Sequence, residues 1–141
     1  MTMSKRNVET VRRSLEAFNR RDLDGALREM HPDAELDWSR SRGLRSGIYR
    51  GKAEIKRFWE ELYDHFEEIN VRPERFIEAG EHVVVPDRSF ARGRAGIRVE
   101  AANTQVSTLR DGKIVRQQLF QETEEALEAV GLSEQDAHVD S

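Results

Sequence analysis

The sequence predicts an α+β domain: a cone-shaped, curved antiparallel sheet with three N-terminal helices packed on its concave face and a short C-terminal helix. Two observations carry this. Up to Phe66, apolar side chains recur at helical spacing, and from Val71 onward the period changes to two. An Asp111-Gly112 pair between two apolar runs adds a strong hairpin signal to the second half. A long bent sheet with a helix across it leaves a conical space, a common setting for a ligand pocket.

Taken in order, Asn7 to Asn19 forms one helical stripe through Val8, Val11, Leu15 and Phe18, with Ser14 on the same face. Asp22 is placed to cap a second helix that packs Leu23, Ala26, Leu27 and Met30 inward, and His31-Pro32-Asp33 is expected to end it. Ala34 to Trp38 alternates as a strand, and Ser39 to Gly47 reads as a mobile loop rich in Arg, Ser and Gly. Ile55, Phe58, Trp59, Leu62, Tyr63 and Phe66 give the third helix, Lys52 to Phe66, a broad aromatic face, with Gly51 and Glu54 as its start signal. Strands follow at Val71–Ile77, His82–Arg92, Ile97–Leu109 and Lys113–Phe120. Thr123 is expected to cap a last helix, and Gly131 to stop it.

Composition narrows the chemistry. The 141 residues carry 27 acidic and 23 basic side chains, a net charge of −4, with 35% charged and 37% hydrophobic residues. That fits one domain, residues 1–132, followed by a flexible polar tail at 133–141. The absence of cysteine excludes disulfides, thiolate metal sites and a cysteine nucleophile. Mild acidity argues against a nucleic-acid partner. No apolar run is long enough for a membrane span, and no secretory signal is visible, so a cytoplasmic location is expected. His31, His65, His82 and His138 lack metal-ligand spacing, so no metal and no cofactor are expected.

The strand faces carry the candidate site. In Ile97–Leu109 the odd-numbered face places Asn103, Gln105 and Ser107 between apolar neighbours. Buried amides and hydroxyls need partners, so these line either a pocket floor, an internal hydrogen-bond network or a polar dimer face. In His82–Arg92 the even face carries Arg88 and Arg92, which puts Asp87 and Ser89 on the drier side. A carboxyl there has its charged form disfavoured and becomes a candidate catalytic acid or base. The competing reading is a bulge at Pro86 that turns Asp87 to solvent. Val115, Gln117 and Leu119 share a face, bringing Gln117 near Gln105, while Trp38, Tyr49, Trp59 and Tyr63 wall a cavity or simply fill a core.

Asn19-Arg20-Arg21-Asp22-Leu23-Asp24-Gly25, His31-Pro32-Asp33-Ala34 and Tyr49-Arg50-Gly51 resemble the nuclear transport factor 2-like superfamily, whose fold is also described as cystatin-like. Thr108 to Val115 and Glu125 to Ala129 are similar to its SnoaL-like branch, which includes polyketide cyclases. Set against ketosteroid isomerase, the oxyanion Tyr position falls on Ser14, the base position on Trp38 and the protonated Asp position on Gln105. Asp37, next to the base position, points to the opposite strand face. Many SnoaL-like members carry His and Trp where this chain has Gln105 and Ser107, and Tyr where it has Phe120. The polar residues set in apolar strand faces, read together with the resemblance, point to a small, largely apolar ligand in the cone, with Ser14, Trp38, Tyr49, Trp59, Tyr63, Ser89, Asn103, Gln105, Ser107, Gln117 and Phe120 as its candidate contacts. The resemblance implies a homodimer through the sheet. Cofactor-free isomerase, cyclase or dehydratase chemistry at Asp87 is one reading, and a non-catalytic dimerisation or binding module is the other.

Overall fold

The computed structural model describes residues 2–42 and 46–132, together with the backbone of residues 138–139. Among these, the elements run α1 (Met3–Asn19), α2 (Leu23–Arg28), β1 (Met30–Asp37), β2 (Ile48–Arg50), α3 (Gly51–His65), β3 (Phe66–Pro73), β4 (Ile77–Ala79), β5 (His82–Gly93), β6 (Arg98–Arg110), β7 (Lys113–Phe120), α4 (Thr123–Ala129) and β8 (His138–Val139). The strand order is β2-β1-β7-β6-β5-β4-β8, with β3 pairing β5 beside β4. All pairs are antiparallel except β1 with β7. The sheet is curved and unclosed. Its concave side holds α1, α2 and α3 over a core that includes Phe58, Met30, Leu36 and Ile114. On the other side α4 packs Ala126 and Leu127 against Ile77, Val84, Val106 and Phe120.

Local chemistry accounts for most boundaries. Asp22 accepts from the Gly25 amide at 2.9 Å, and a Cβ at Gly25 would collide with that same carboxylate, so the cap needs glycine there. Asp111 and Gly112 both take positive φ, 51° and 76°, as the tight β6–β7 hairpin demands. Gly131 (φ 80°) closes α4, with the Leu132 amide donating to the Leu127 carbonyl at 2.8 Å.

Several expectations need correction. His31-Pro32-Asp33 does not end α2. Arg28 does, and the three residues lie in a register irregularity inside β1 between Met30 and Glu35. The run Val71–Ile77 is not one strand. β3 begins at Phe66 directly after α3, and the chain breaks at Pro73 before β4. Thr123 does not cap α4. Its hydroxyl shares a 2.8 Å hydrogen bond with Thr104, and Glu122 occupies the cap position without a side-chain bond. Val115 does not share the inner face of Gln117 and Leu119 as a core residue. A bulge sets Leu109 opposite Ile114, so Ile114 is buried in its place. Ile97 lies in the β5–β6 turn and is 66% exposed. Gly43 to Arg45 of the Ser39–Gly47 loop lie outside the described residues, as does the tail from Ser133 except for the backbone of 138–139, which pairs with β4.

Asn19 ties the helical layer to the sheet. Its Nδ2 donates to the Val71 carbonyl and its Oδ1 accepts from the Val71 amide, both at 2.8 Å, so one side chain serves as a surrogate strand for the outer edge of β3. Tyr63 adds a hydroxyl bond to the Phe18 carbonyl at the same end of α1. Substituting Asn19→Ala removes two hydrogen bonds of roughly 1 kcal/mol each, so a loss of about 2 kcal/mol is expected in urea unfolding. A change below 0.5 kcal/mol would show that Asn19 does not anchor the layer.

Candidate functional site

Between α1, α3 and the inner face of the sheet lies a cavity of about 410 Å³. Its walls are apolar: Phe18 from α1, Trp59 and Leu62 from α3, Ile69 and Val71 from β3. Its floor is polar, with Asp87 and Ser89 from β5, Asn103 and Gln105 from β6, and Gln117 from β7. Val99, 49% exposed, and the exposed Arg42 also line it, which places them at its opening.

The decisive local feature is β5. It changes partner along its length, pairing with β4 through Val84 and with β3 from Asp87 onward. Pro86 sits in the gap between the two pairings, where its missing N–H leaves no ladder bond unmade, and its carbonyl accepts from the Glu74 amide at 2.8 Å. On the other edge the register with β6 runs unbroken from His82 to Arg92. There is no bulge at Pro86, so alternation holds and Asp87 shares a face with Val83 and Val85.

Asp87 is only 2% exposed, and neither carboxylate oxygen has a hydrogen-bond partner among the described residues. Burial pushes its pKa up to about 7. The Gln105 amide pulls the other way, too loosely placed to form a bond of normal geometry, and the negative charge of Glu74 adds to the rise. Around it, the other polar groups are engaged. Gln117 Nε2 donates to Gln105 Oε1 at 2.8 Å, which leaves the Gln105 amide nitrogen as the donor end free to turn toward Asp87 or a ligand oxygen. Asn103 Nδ2 donates to Ser89 Oγ at 3.2 Å, and Ser89 donates onward to the Ala101 carbonyl at 3.4 Å. Ser14 lines the wall, its hydroxyl donating to the Ala26 carbonyl at 3.1 Å.

The structure thus brings Asp87, Ser14, Trp38, Trp59, Ser89, Asn103, Gln105 and Gln117 to one cavity. Four other predicted residues lie elsewhere. Tyr49 stacks on Phe58 with centroids 4.2 Å apart, and Tyr63 is held by Phe18 and by Arg21 over its ring. Ser107 is buried without a partner among the described residues and does not line the cavity. Phe120 faces α4 on the other side of the sheet, under the Arg40 guanidinium. Asp37 turns away from the cavity as strand parity requires. Burial would raise its pKa, but the Ser39 hydroxyl and amide, Arg116 and Gln118 together outweigh that and hold it below the usual carboxylate range. Arg42 belongs to a set of loop arginines that the sequence offers either as a solvated surface or as an attractor of an acidic ligand, and Gln121 carries no sequence signal because it sits in a loop, where no periodicity marks a facing. Among the described residues no three His, Asp or Glu side chains converge to hold a metal, and no helix is long and apolar enough to cross a membrane.

The sequence matches the SnoaL-like domain family over residues 11–117. No curated protein matches it. Among solved structures it is similar to TerC co-crystallised with polyporic acid, at 28% identity and a TM-score of 0.74, covering 89% of this chain and 98% of that one. An NTF2-like protein of unknown function from Burkholderia pseudomallei aligns at 29% identity and TM-score 0.74, over 93% of this chain and 99% of its own. A protein of ketosteroid isomerase-like fold from Catenulispora acidiphila, crystallised with trimethylamine, shares the fold at 15% identity and TM-score 0.70, over 88% and 93%.

Folding lifts the Asp87 pKa from its ordinary 3.8 to about 7, so the folded chain binds more protons than the unfolded one between those values. Stability therefore falls as pH rises across that window. At about 1.4 kcal/mol per pH unit the penalty reaches at most about 4 kcal/mol above pH 7. Asp87→Asn removes the ionisation, so calorimetry at pH 8 is expected to give a higher Tm than the native chain, and at pH 4 nearly the same Tm. An equal or lower Tm at pH 8 would contradict a carboxyl ionising in a dry site.

Proposed function

The chain belongs to the SnoaL-like domain family, and on that premise we propose that its cone binds a small, largely apolar organic molecule on which Asp87 performs cofactor-free acid–base chemistry. One observation carries the proposal: a carboxyl without a partner among the described residues, its pKa near neutrality, set in the floor of a cavity with apolar walls. A general base works best when its pKa lies near the working pH. Relatives crystallised with polyporic acid and with trimethylamine support a small-molecule ligand.

The chemistry follows from the groups present. Ionised Asp87 takes a proton from a carbon beside a carbonyl, and the electron pair moves onto the carbonyl oxygen. The free amide nitrogen of Gln105, oriented by Gln117, donates to that oxygen as negative charge develops. Asp87, now protonated, returns the proton at a second carbon for isomerisation. In an aldol-type cyclisation the carbanion attacks a second carbonyl instead and Asp87 gives its proton to the alkoxide so formed, and in a dehydration Asp87 protonates the departing hydroxyl, which leaves as water. The apolar walls exclude water and keep the intermediate from quenching.

The sheet gives a second, compatible reading. Beyond the cover of α4, the outer face of β5 and β6 presents Arg88, the half-buried Phe90, Glu100 and Ala102, and the homodimer proposed here forms on that face. Sedimentation at micromolar concentration is expected to give a dimer, and a monomer there overturns that part.

Proton abstraction can be read without the native substrate. In D2O, the protein is expected to speed deuterium exchange at C1 of 2-tetralone, with a rate that rises toward pH 7 and then levels. Asp87→Asn should lower that exchange about 10²-fold or more while leaving 2-tetralone binding in place. Full exchange by the variant would remove Asp87 from the mechanism.

A further inference from the structure

The cavity is asymmetric in charge. Among the described residues its lining holds one carboxyl, Asp87, at the floor and one guanidinium, Arg42, at the opening. The other arginines nearby are committed. Arg40 lies over Phe120, Arg50 and Arg116 pair with Glu35, Arg116 also with Asp37, and Arg92 with Glu67 and Glu68. Arg42 pairs with no carboxylate among the described residues. The backbone just before it is fixed. The Ser41 amide donates to the Trp38 carbonyl at 3.0 Å, and Gln121 Nε2 donates to the Arg40 carbonyl at 2.8 Å. Because low-dielectric walls focus a field, a lone cation at the mouth of an apolar cleft draws anions in.

Arg42 and Asp87 also lie on opposite flanks. Arg42 follows the end of β1, and β7 and β6 separate β1 from β5. Because the Arg40 carbonyl is held by Gln121 just past the end of β7, two to three strand spacings of about 4.8 Å, roughly 10–14 Å, lie between the segment leading to Arg42 and β5, enough for a flat body of two rings. Trp38 and Trp59 supply aromatic surface along that span. From these positions we infer that the ligand is an organic acid, a planar apolar body whose anionic oxygen group rests on Arg42 at the opening while its far end reaches Asp87 and Gln105. This rests on the cavity being a ligand site, as proposed above, and adds the charge and the orientation of what enters. Asp87 does not repel such a ligand when protonated, and it sits across the cavity from the anion.

The test pairs biphenyl-4-carboxylate with its neutral counterpart 4-biphenylmethanol, followed by titration calorimetry and by quenching of the Trp38 and Trp59 fluorescence. The native chain is expected to bind the carboxylate at least tenfold more tightly than the alcohol at low ionic strength, with the gap shrinking as salt screens it. Arg42→Gln should bring the two within about twofold by weakening the carboxylate alone. Arg57→Gln, which removes an exposed α3 charge of the same sign away from the cavity, should leave the preference intact. Equal binding of both probes by the native chain, or a preference that survives in Arg42→Gln, overturns the inference and leaves the pocket standing. Binding of neither probe overturns the pocket reading itself.

Discussion

The unbroken pairing of β5 with β6 through Pro86 is the constraint on which this site depends. A strand that exchanges one neighbour for another must bend, and the bend is where a bulge would normally enter. Here the exchange falls on the residue that has no N–H to lose, so the ladder toward β6 keeps its register. Had one residue been gained or lost there, every side chain from Asp87 to Ala91 would have exchanged faces. Asp87, Ser89 and Ala91 would then face outward, and Arg88 and Phe90 would stand on the cavity floor in their place.

Two aspartates show what decides a buried carboxyl. Asp37 and Asp87 are about equally hidden, at 5% and 2% exposure, yet one is held acidic and the other pushed toward neutrality. Burial acts the same way on both. Asp87 lies deeper, so burial weighs more on it, and the partners differ too: Asp37 accepts from the Ser39 hydroxyl and amide and meets Arg116, while nothing among the described residues bonds Asp87. The neighbouring polar groups on the floor are paired with one another, so the unsatisfied capacity is concentrated at a single carboxyl and the amide beside it. A fold gains no stability from such a group, which makes it a feature to be explained by what it meets rather than by what it holds together.

The positions that resemble ketosteroid isomerase's machinery, Ser14, Trp38 and Gln105, all face this cavity, though none carries the acid or phenol of that enzyme. The carboxyl on the floor comes from β5 instead, diagonally across from Gln105 on β6. The chamber keeps a polar floor, while the carboxyl that stands on it comes from a different strand position.

By itself the sequence determined the element types, the order of helices before sheet, the Asp22 cap, the Asp111-Gly112 turn and the parity that sends Asp37 outward and Gln105 inward. These rest on local periodicity and turn chemistry, which a short window of residues contains. It left open whether Asp87 faced the cavity or solvent, because parity across Pro86 depends on where two other strands change over. It misplaced Val115, Thr123 and the His31-Pro32-Asp33 segment, each set by a partner far along the chain: Leu109 and Ile114 across a bulge, Thr104 across the sheet, and β7 beside β1. Tertiary structure alone separated Trp38 and Trp59, which wall the hollow, from Tyr49 and Tyr63, which fill the core. An apolar stripe states that a face is buried, and only the packed neighbours state against what.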